Sequence, residues 1–200
     1  MTQVAIADLI AGVRAGRLAS FPTDTVPALA VLPERAELIF AAKGRSREKP
    51  LILMGASPEA LWPYVTGSAE EKKIWQKIAA KYWPGALTLV LPASDRVPLA
   101  MNQADPTTIG VRVPDCAIAQ KILAQTGPLA TTSANRSGEA ALQTMAEIET
   151  QFPDVLTLDI AELESVKPVI GLPSTVVKWT GSGWKILRQG GIVSISDGGL

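Results

Sequence analysis

The chain has no histidine, a single cysteine and no net charge, with 19 basic residues balancing 19 acidic ones. Without histidine, the Ser-His-Asp and Cys-His nucleophile arrangements and every histidine metal site are excluded. A lone Cys116 forms no intrachain disulfide and no thiolate zinc cluster, and within VPDCAIA it reads as a small buried apolar residue. No apolar run reaches membrane-spanning length. The phosphate loop GxxxxGKS/T and the dinucleotide fingerprint GxGxxG are both missing. A balanced charge argues against broad nonspecific nucleic-acid binding and leaves room only for a local basic patch. Catalysis, if any, must rest on Lys, Arg, Ser, Thr, Asn, carboxylates, backbone amides or a recruited ion.

The 200 residues suit a single domain, and 47% apolar content provides a real core. The first 18 residues carry Asp8 within their apolar part, so residues 3–15 read as an amphipathic helix and not as a signal peptide. A soluble cytoplasmic protein is expected. Further along, Leu18 to Phe21, Leu51 to Met54, Leu87 to Leu91, Thr107 to Val113, Pro173 to Val177 and Trp184 to Leu187 read as strands. Between them, Pro33 opens a helix to Ala42, and the capping-box spacings Ser68–Glu71 and Thr144–Glu147 start two more. Asp115 is expected to cap another, through Ile118, Ile122 and Leu123. Trp75 and Trp83 share a helical register and read as core, not as a base-stacking platform. Residues 153–170 suggest a strand and an irregular segment, and the glycine-rich tail beyond Ser196 is expected to fray. Alternating strands and helices without repeat or linker predict one α/β domain over residues 1–200, a twisted mixed sheet flanked by helices.

Three stretches carry chemistry. Lys43, Arg45, Arg47 and Lys49 place four cations within seven positions, separated by Gly44 and closed by Pro50. Such a loop offers point charges and guanidinium forks to a polyphosphate, although it equally suits a solvated helix end. Arg112 interrupts the apolar strand TIGVRVP and needs an anion, either a structural carboxylate or that of a substrate. Thr23-Asp24-Thr25 and Thr131-Thr132-Ser133-Ala134-Asn135 follow or end strands, where hydroxyls and amides line clefts or simply satisfy turns.

FPTDTVPALA, KGRSREKPL, YWPGALTLVL, TIGVRVP, TTSANRSG, PSTVV and LRQGG occur in the order found in the YrdC-like threonylcarbamoyl-AMP synthases, which this chain resembles from about Ser20 to Gly191. The resemblance implies an enzyme joining L-threonine, bicarbonate and ATP into threonylcarbamoyl-adenylate with release of pyrophosphate. It further implies magnesium on the phosphates, a product destined for threonylcarbamoyladenosine in tRNA, downstream tRNA-modification enzymes as partners, and the short form of the family. By motif, Lys43, Arg45, Ser133 and Asn135 would hold the nucleotide phosphates and carry catalysis. Lys49, Thr108 and Arg188 would complete the ATP site. Arg112 would hold the threonine carboxylate, with Thr25, Thr131 and Ser174 around it. Against the family pattern, Pro27-Ala28 replaces a common Tyr-Gly, Met54 stands where many members have histidine, and Ser46 and Gln189 replace frequent prolines. Two alternatives keep the same cleft: a noncatalytic binder of double-stranded RNA or tRNA, and a carbamoyl-adenylate enzyme with another acceptor.

Overall fold

The segments expected as strands are short and rich in apolar residues. In the computed structural model, which describes residues 2–163 and 171–192, those segments pair into one mixed sheet. Its strands are β1 (Gln3–Val4), β2 (Ala19–Phe21), β3 (Ala28–Val31), β4 (Ile52–Met54), β5 (Leu87–Pro92), β6 (Thr108–Arg112), β7 (Leu129–Ser133), β8 (Leu156–Leu158), β9 (Thr175–Trp179) and β10 (Trp184–Arg188). They lie in the order β1-β8-β2-β3-β7-β4-β6-β5-β9-β10. β1 with β8, β8 with β2, β4 with β6 and β5 with β9 are parallel; the other neighbours are antiparallel.

Among the described residues six α-helices cover the sheet: α1 (Ile6–Arg14), α2 (Glu37–Lys43), α3 (Pro58–Leu61), α4 (Ala69–Tyr82), α5 (Ala117–Thr126) and α6 (Met145–Gln151). Register sorts the side chains. Val31, Ala130, Leu53, Val111, Leu89 and Val177 form a row across six strands and pack with Ile39 and Phe40 of α2 and Trp75 and Ile78 of α4. On the opposite face, Ala19, Phe21, Ala28, Met54 and Leu129 lie under α1 and α5. Those two helices cover the β8-to-β4 half of that face, and the strands beyond present Thr88, Val90, Thr108, Gly110, Val176 and Lys178 to a cleft. The floor of the site is this uncovered half-sheet.

Both expected capping boxes form, Ser68 with Glu71 and Thr144 with Glu147. Trp75 and Trp83 are buried as read, with Trp62 stacked on Trp83 at 5.9 Å. Three local expectations are corrected. Gln3 and Val4 form a strand, pairing with Thr157 and Leu158, and the helix starts only at Ile6. Asp115 does not cap α5: the cap position is Cys116, and no side chain closes the first turn. Cys116 itself is only half-buried, its thiol 3.5 Å from the Pro22 carbonyl, and burial raises its pKa. The expected irregular segment falls partly on 164–170, and the expected frayed tail on 197–200, both outside the described residues. No helix among the described residues is long and apolar enough to cross a membrane.

Candidate active site

Helix α2 delivers the basic loop through its C-terminal turn. Gly44 takes a left-handed conformation (φ 57°), so that its N–H bonds Ala41 O at 3.3 Å and the Arg45 N–H bonds Phe40 O at 3.0 Å. This pairing ends the helix and reverses the chain. It splits the four cations: Lys43 goes inward, Arg45 turns half-buried toward the sheet, and Arg47 and Lys49 remain exposed.

Arg45 stands where two hollows meet. The smaller, about 150 Å³, is bordered by Thr25, Met54, Arg112, Thr131, Ser133 and Ser174. The larger, about 420 Å³, lies over the open strands and includes Lys49, Thr108, Asn102 and Lys178. Arg45, Pro50, Ile52 and Arg188 line both. The first holds a few waters' worth of volume at about 30 Å³ each, the scale of an amino acid. The second falls in the range of about 300–1,000 Å³ usual for small-molecule sites.

Arg112, only 4% exposed, is held on every side. Its Nε donates to Gly85 O at 3.0 Å, its Nη1 to Thr25 Oγ1 at 2.8 Å, and its Nη2 to Asp24 Oδ1 at 2.6 Å. Burial pushes its pKa down and Asp24 pulls it back up. Of the two partners left open by the sequence, a structural carboxylate is therefore present. One N–H on each terminal nitrogen remains for a ligand. Thr23 does make the local turn, accepting from Thr25 N and donating to Val26 O, and both Thr23 and Thr25 border the smaller hollow.

Arg45 is treated differently. Its Nη2 reaches Pro50 O at 3.1 Å and its Nη1 only Thr132 Oγ1 at 3.4 Å, while its Nε is buried without an acceptor. Neither Arg45 nor Arg188 has a carboxylate partner among the described residues. Burial lowers the Arg45 pKa, and the nearby Arg188 lowers it further. Arg188 is tethered by its Nε and Nη2 to Ser174 O at 3.2 and 2.8 Å. Gly190 makes that approach possible, since a Cβ there would stand 2.2 Å from Pro173 O. Ser174 in turn shares a 2.8 Å hydrogen bond with Thr88, a residue its place in an apolar strand had hidden.

Lys43 and Asn135 line neither hollow. Lys43, 2% exposed, donates from Nζ to Ser133 O and, at 3.3 Å, to Asn135 Oδ1. Ser133 Oγ donates to the same Oδ1 at 2.6 Å, and Asn135 Nδ2 is spent on Arg136 O and Glu139 O. In this arrangement the pair props Ser133 from beneath. Burial, then Arg45 and Lys49, lowers the Lys43 pKa from 10.5 to about 7. At the far end of the larger hollow, Asn102, Asp105 and Lys178 form a polar cluster the sequence did not signal, with Asp105 Oδ2 3.2 Å from Lys178 Nζ.

The profile of the Sua5/YciO/YrdC family, described as telomere recombination, matches residues 12–190. The chain belongs to this family. A Vibrio campbellii protein named threonylcarbamoyl-AMP synthase is 34% identical over 187 residues, covering 91% of this chain and 97% of that one. One from Pyrococcus abyssi with the same name is 36% identical over 184 residues, covering 90% of this chain but 52% of the relative. The structure of P. abyssi Sua5 complexed with L-threonine superposes with a TM-score of 0.83 at 32% identity, covering 93% of this chain and 54% of that one. The chain thus spans about half the length of the P. abyssi proteins and nearly all of the V. campbellii one. Within the Sua5/YciO/YrdC family, the mixed sheet with flanking helices found here is the shared fold.

Proposed function

We propose that this chain is a threonylcarbamoyl-AMP synthase, working in the cytoplasm. The observation carrying the reading is Arg45, a half-buried guanidinium with no carboxylate partner among the described residues, placed between a hollow of amino-acid size and one of nucleoside size. Its terminal nitrogens are held only by the neutral Pro50 carbonyl and Thr132 hydroxyl, so each keeps an N–H that a phosphate oxygen can accept, and hydrogen bonds to charged groups are the stronger ones. The names of the relatives agree with it.

L-Threonine occupies the smaller hollow, its carboxylate on the free N–H groups of Arg112 and its amine toward the junction, with Thr25, Thr131 and Ser174 around it. ATP places its nucleoside in the larger hollow, near Thr108 and Lys49, and its phosphates against Arg45, Arg188 and Ser133. The amine, stripped of its proton by solvent or buffer base, adds to carbon dioxide derived from bicarbonate and gives a carbamate. A carbamate oxygen then attacks the α-phosphorus as the bond to the pyrophosphate oxygen breaks. Threonylcarbamoyl-adenylate, pyrophosphate and water result. Positioning and neutralisation of the developing phosphate charge supply the catalysis, so no histidine is required. Lys43 and Asn135 act through Ser133.

Among the described residues no three of His, Cys, Asp or Glu gather to hold a metal ion. Asp24 is committed to Arg112 and Asp105 to Lys178. In this reading magnesium enters as part of the MgATP substrate, held chiefly by phosphate oxygens with water completing its shell. The product is an activated mixed anhydride that an acceptor amine must consume, which makes tRNA and the enzymes that modify it the partners.

The test is mass spectrometry after incubation with ATP, magnesium, bicarbonate and L-threonine. The expected result is threonylcarbamoyl-adenylate with equimolar pyrophosphate, both lost when threonine is omitted. Pyrophosphate release indifferent to threonine would overturn the assignment.

A further inference from the structure

Three guanidiniums, Arg45, Arg112 and Arg188, border one small hollow. Left alone they would form a continuous receptor for any polyanion, and ATP, pyrophosphate or phosphate would compete for the seat of the amino acid. Among the described residues only Arg112 of the three has a carboxylate partner, Asp24, at 2.6 Å. Asp24 does not itself line the hollow. It stands behind the guanidinium, 15% exposed, held by the turn that Thr23 closes. Its negative charge thus falls on whatever approaches Arg112 from the front without occupying ligand space.

We propose that Asp24 is a specificity-determining residue that divides the cleft by charge, reserving Arg112 for a single carboxylate and denying it to phosphate groups. The proposal rests on the functional reading above. Its physical basis is that a paired arginine presents a near-neutral dipole to a distant ligand while keeping two N–H donors for close contact. A monocarboxylate whose own amine balances its charge loses little by this. Phosphate groups carrying two or more negative charges lose the net attraction and face repulsion from Asp24. Arg45 and Arg188, without such a partner, keep full attraction for the triphosphate.

The experiment is calorimetric titration of the whole chain with inorganic pyrophosphate and with L-threonine, each in the presence and absence of the other. In the wild type, pyrophosphate should compete with ATP yet leave threonine affinity unchanged. In Asp24→Asn, which keeps an oxygen acceptor for Nη2, pyrophosphate should become a competitor of threonine and bind about tenfold tighter. A purely structural role would weaken threonine binding without making pyrophosphate its competitor, and that outcome overturns the proposal. If Asp24→Asn does not fold, the wild type decides: independent binding of threonine and pyrophosphate supports the division, and mutual exclusion overturns it. A wild-type protein that binds neither threonine nor ATP rejects the functional reading itself and this proposal with it.

Discussion

Arg112 and Arg45 border the same hollow and are held in opposite ways. Arg112 is sunk in the sheet with a carboxylate, a hydroxyl and a carbonyl on its three nitrogens. Arg45 leans in from a loop with weak neutral contacts, an unpartnered Nε and another guanidinium nearby. The first arrangement fixes the orientation of the guanidinium before any ligand arrives, and its geometry belongs to the fold. The second has no counter-charge among the described residues and leaves N–H groups on its terminal nitrogens open. Arg112 should therefore carry stability as well as the proposed carboxylate contact, whereas Arg45 should carry binding alone, and substitutions should separate the two.

The largest effect is expected at Arg112. Arg112→Ala leaves the Asp24 carboxylate mostly buried without its partner, and breaking such a pair costs about 3–5 kcal/mol. For a chain of this size that lowers the melting temperature by roughly 10 °C. Removing both charges in Arg112→Met with Asp24→Asn should recover most of the loss, since the penalty lies in the orphaned charge. Thermal melts of the three proteins check this. A single variant as stable as the wild type would leave Arg112 without the stabilising role assigned to it and erase its difference from Arg45.

Arg45→Ala should do the reverse. Losing a charged hydrogen bond to phosphate costs about 1.5–3 kcal/mol, roughly a tenfold to hundredfold loss of ATP affinity. Stability should hold or rise slightly, because a half-buried cation that faces Arg188 has been removed. Calorimetry and a melt on the same sample test both halves. A fall in stability as deep as that of Arg112→Ala, with ATP affinity intact, would erase the contrast.

How far the sequence led follows the same divide between local and distant causes. The capping boxes at Ser68 and Thr144 are written in four consecutive residues, and both were legible. β1 was not, because two residues carry no periodicity and their partner, β8, lies some 150 positions away. Arg112 announced its need for an anion, but nothing local named Asp24, which reaches it only because the turn after β2 stands over the end of β6. Lys43 read either as a phosphate-binding cation or as a solvated one at a helix end, and in neither case as a buried one. Its burial depends on the end of β7 lying against the end of α2, a matter of strand order. Thr88 and Val90 were hidden differently. Their alternation with Leu87, Leu89 and Leu91 was visible, yet only register shows that the other face of those strands is left uncovered.

The smallest effect, and the finest probe of the unpaired end, is a proton. Lys43 has a pKa of about 7 in the folded protein against 10.5 in its ordinary state. Below about pH 7 both folded and unfolded chains carry the charge, and the cost of burying it is borne in full. Between about 7 and 10.5 the unfolded chain holds a proton that the folded one has shed, so this residue's contribution to stability improves as pH rises through that window. A triphosphate bound beside Arg45 adds negative charge where Arg45 and Lys49 now repel a proton on Lys43. Its pKa should then climb, and at pH 8 ATP binding should draw in up to about one proton. Titration in two buffers of different ionisation enthalpy measures that uptake, and subtracting the value for Lys43→Met removes the phosphates' own protonation. An uptake equal in wild type and variant would mean that Lys43 does not sense the nucleotide. A difference near one proton would place the buried lysine within electrostatic reach of the phosphates, although it touches neither hollow.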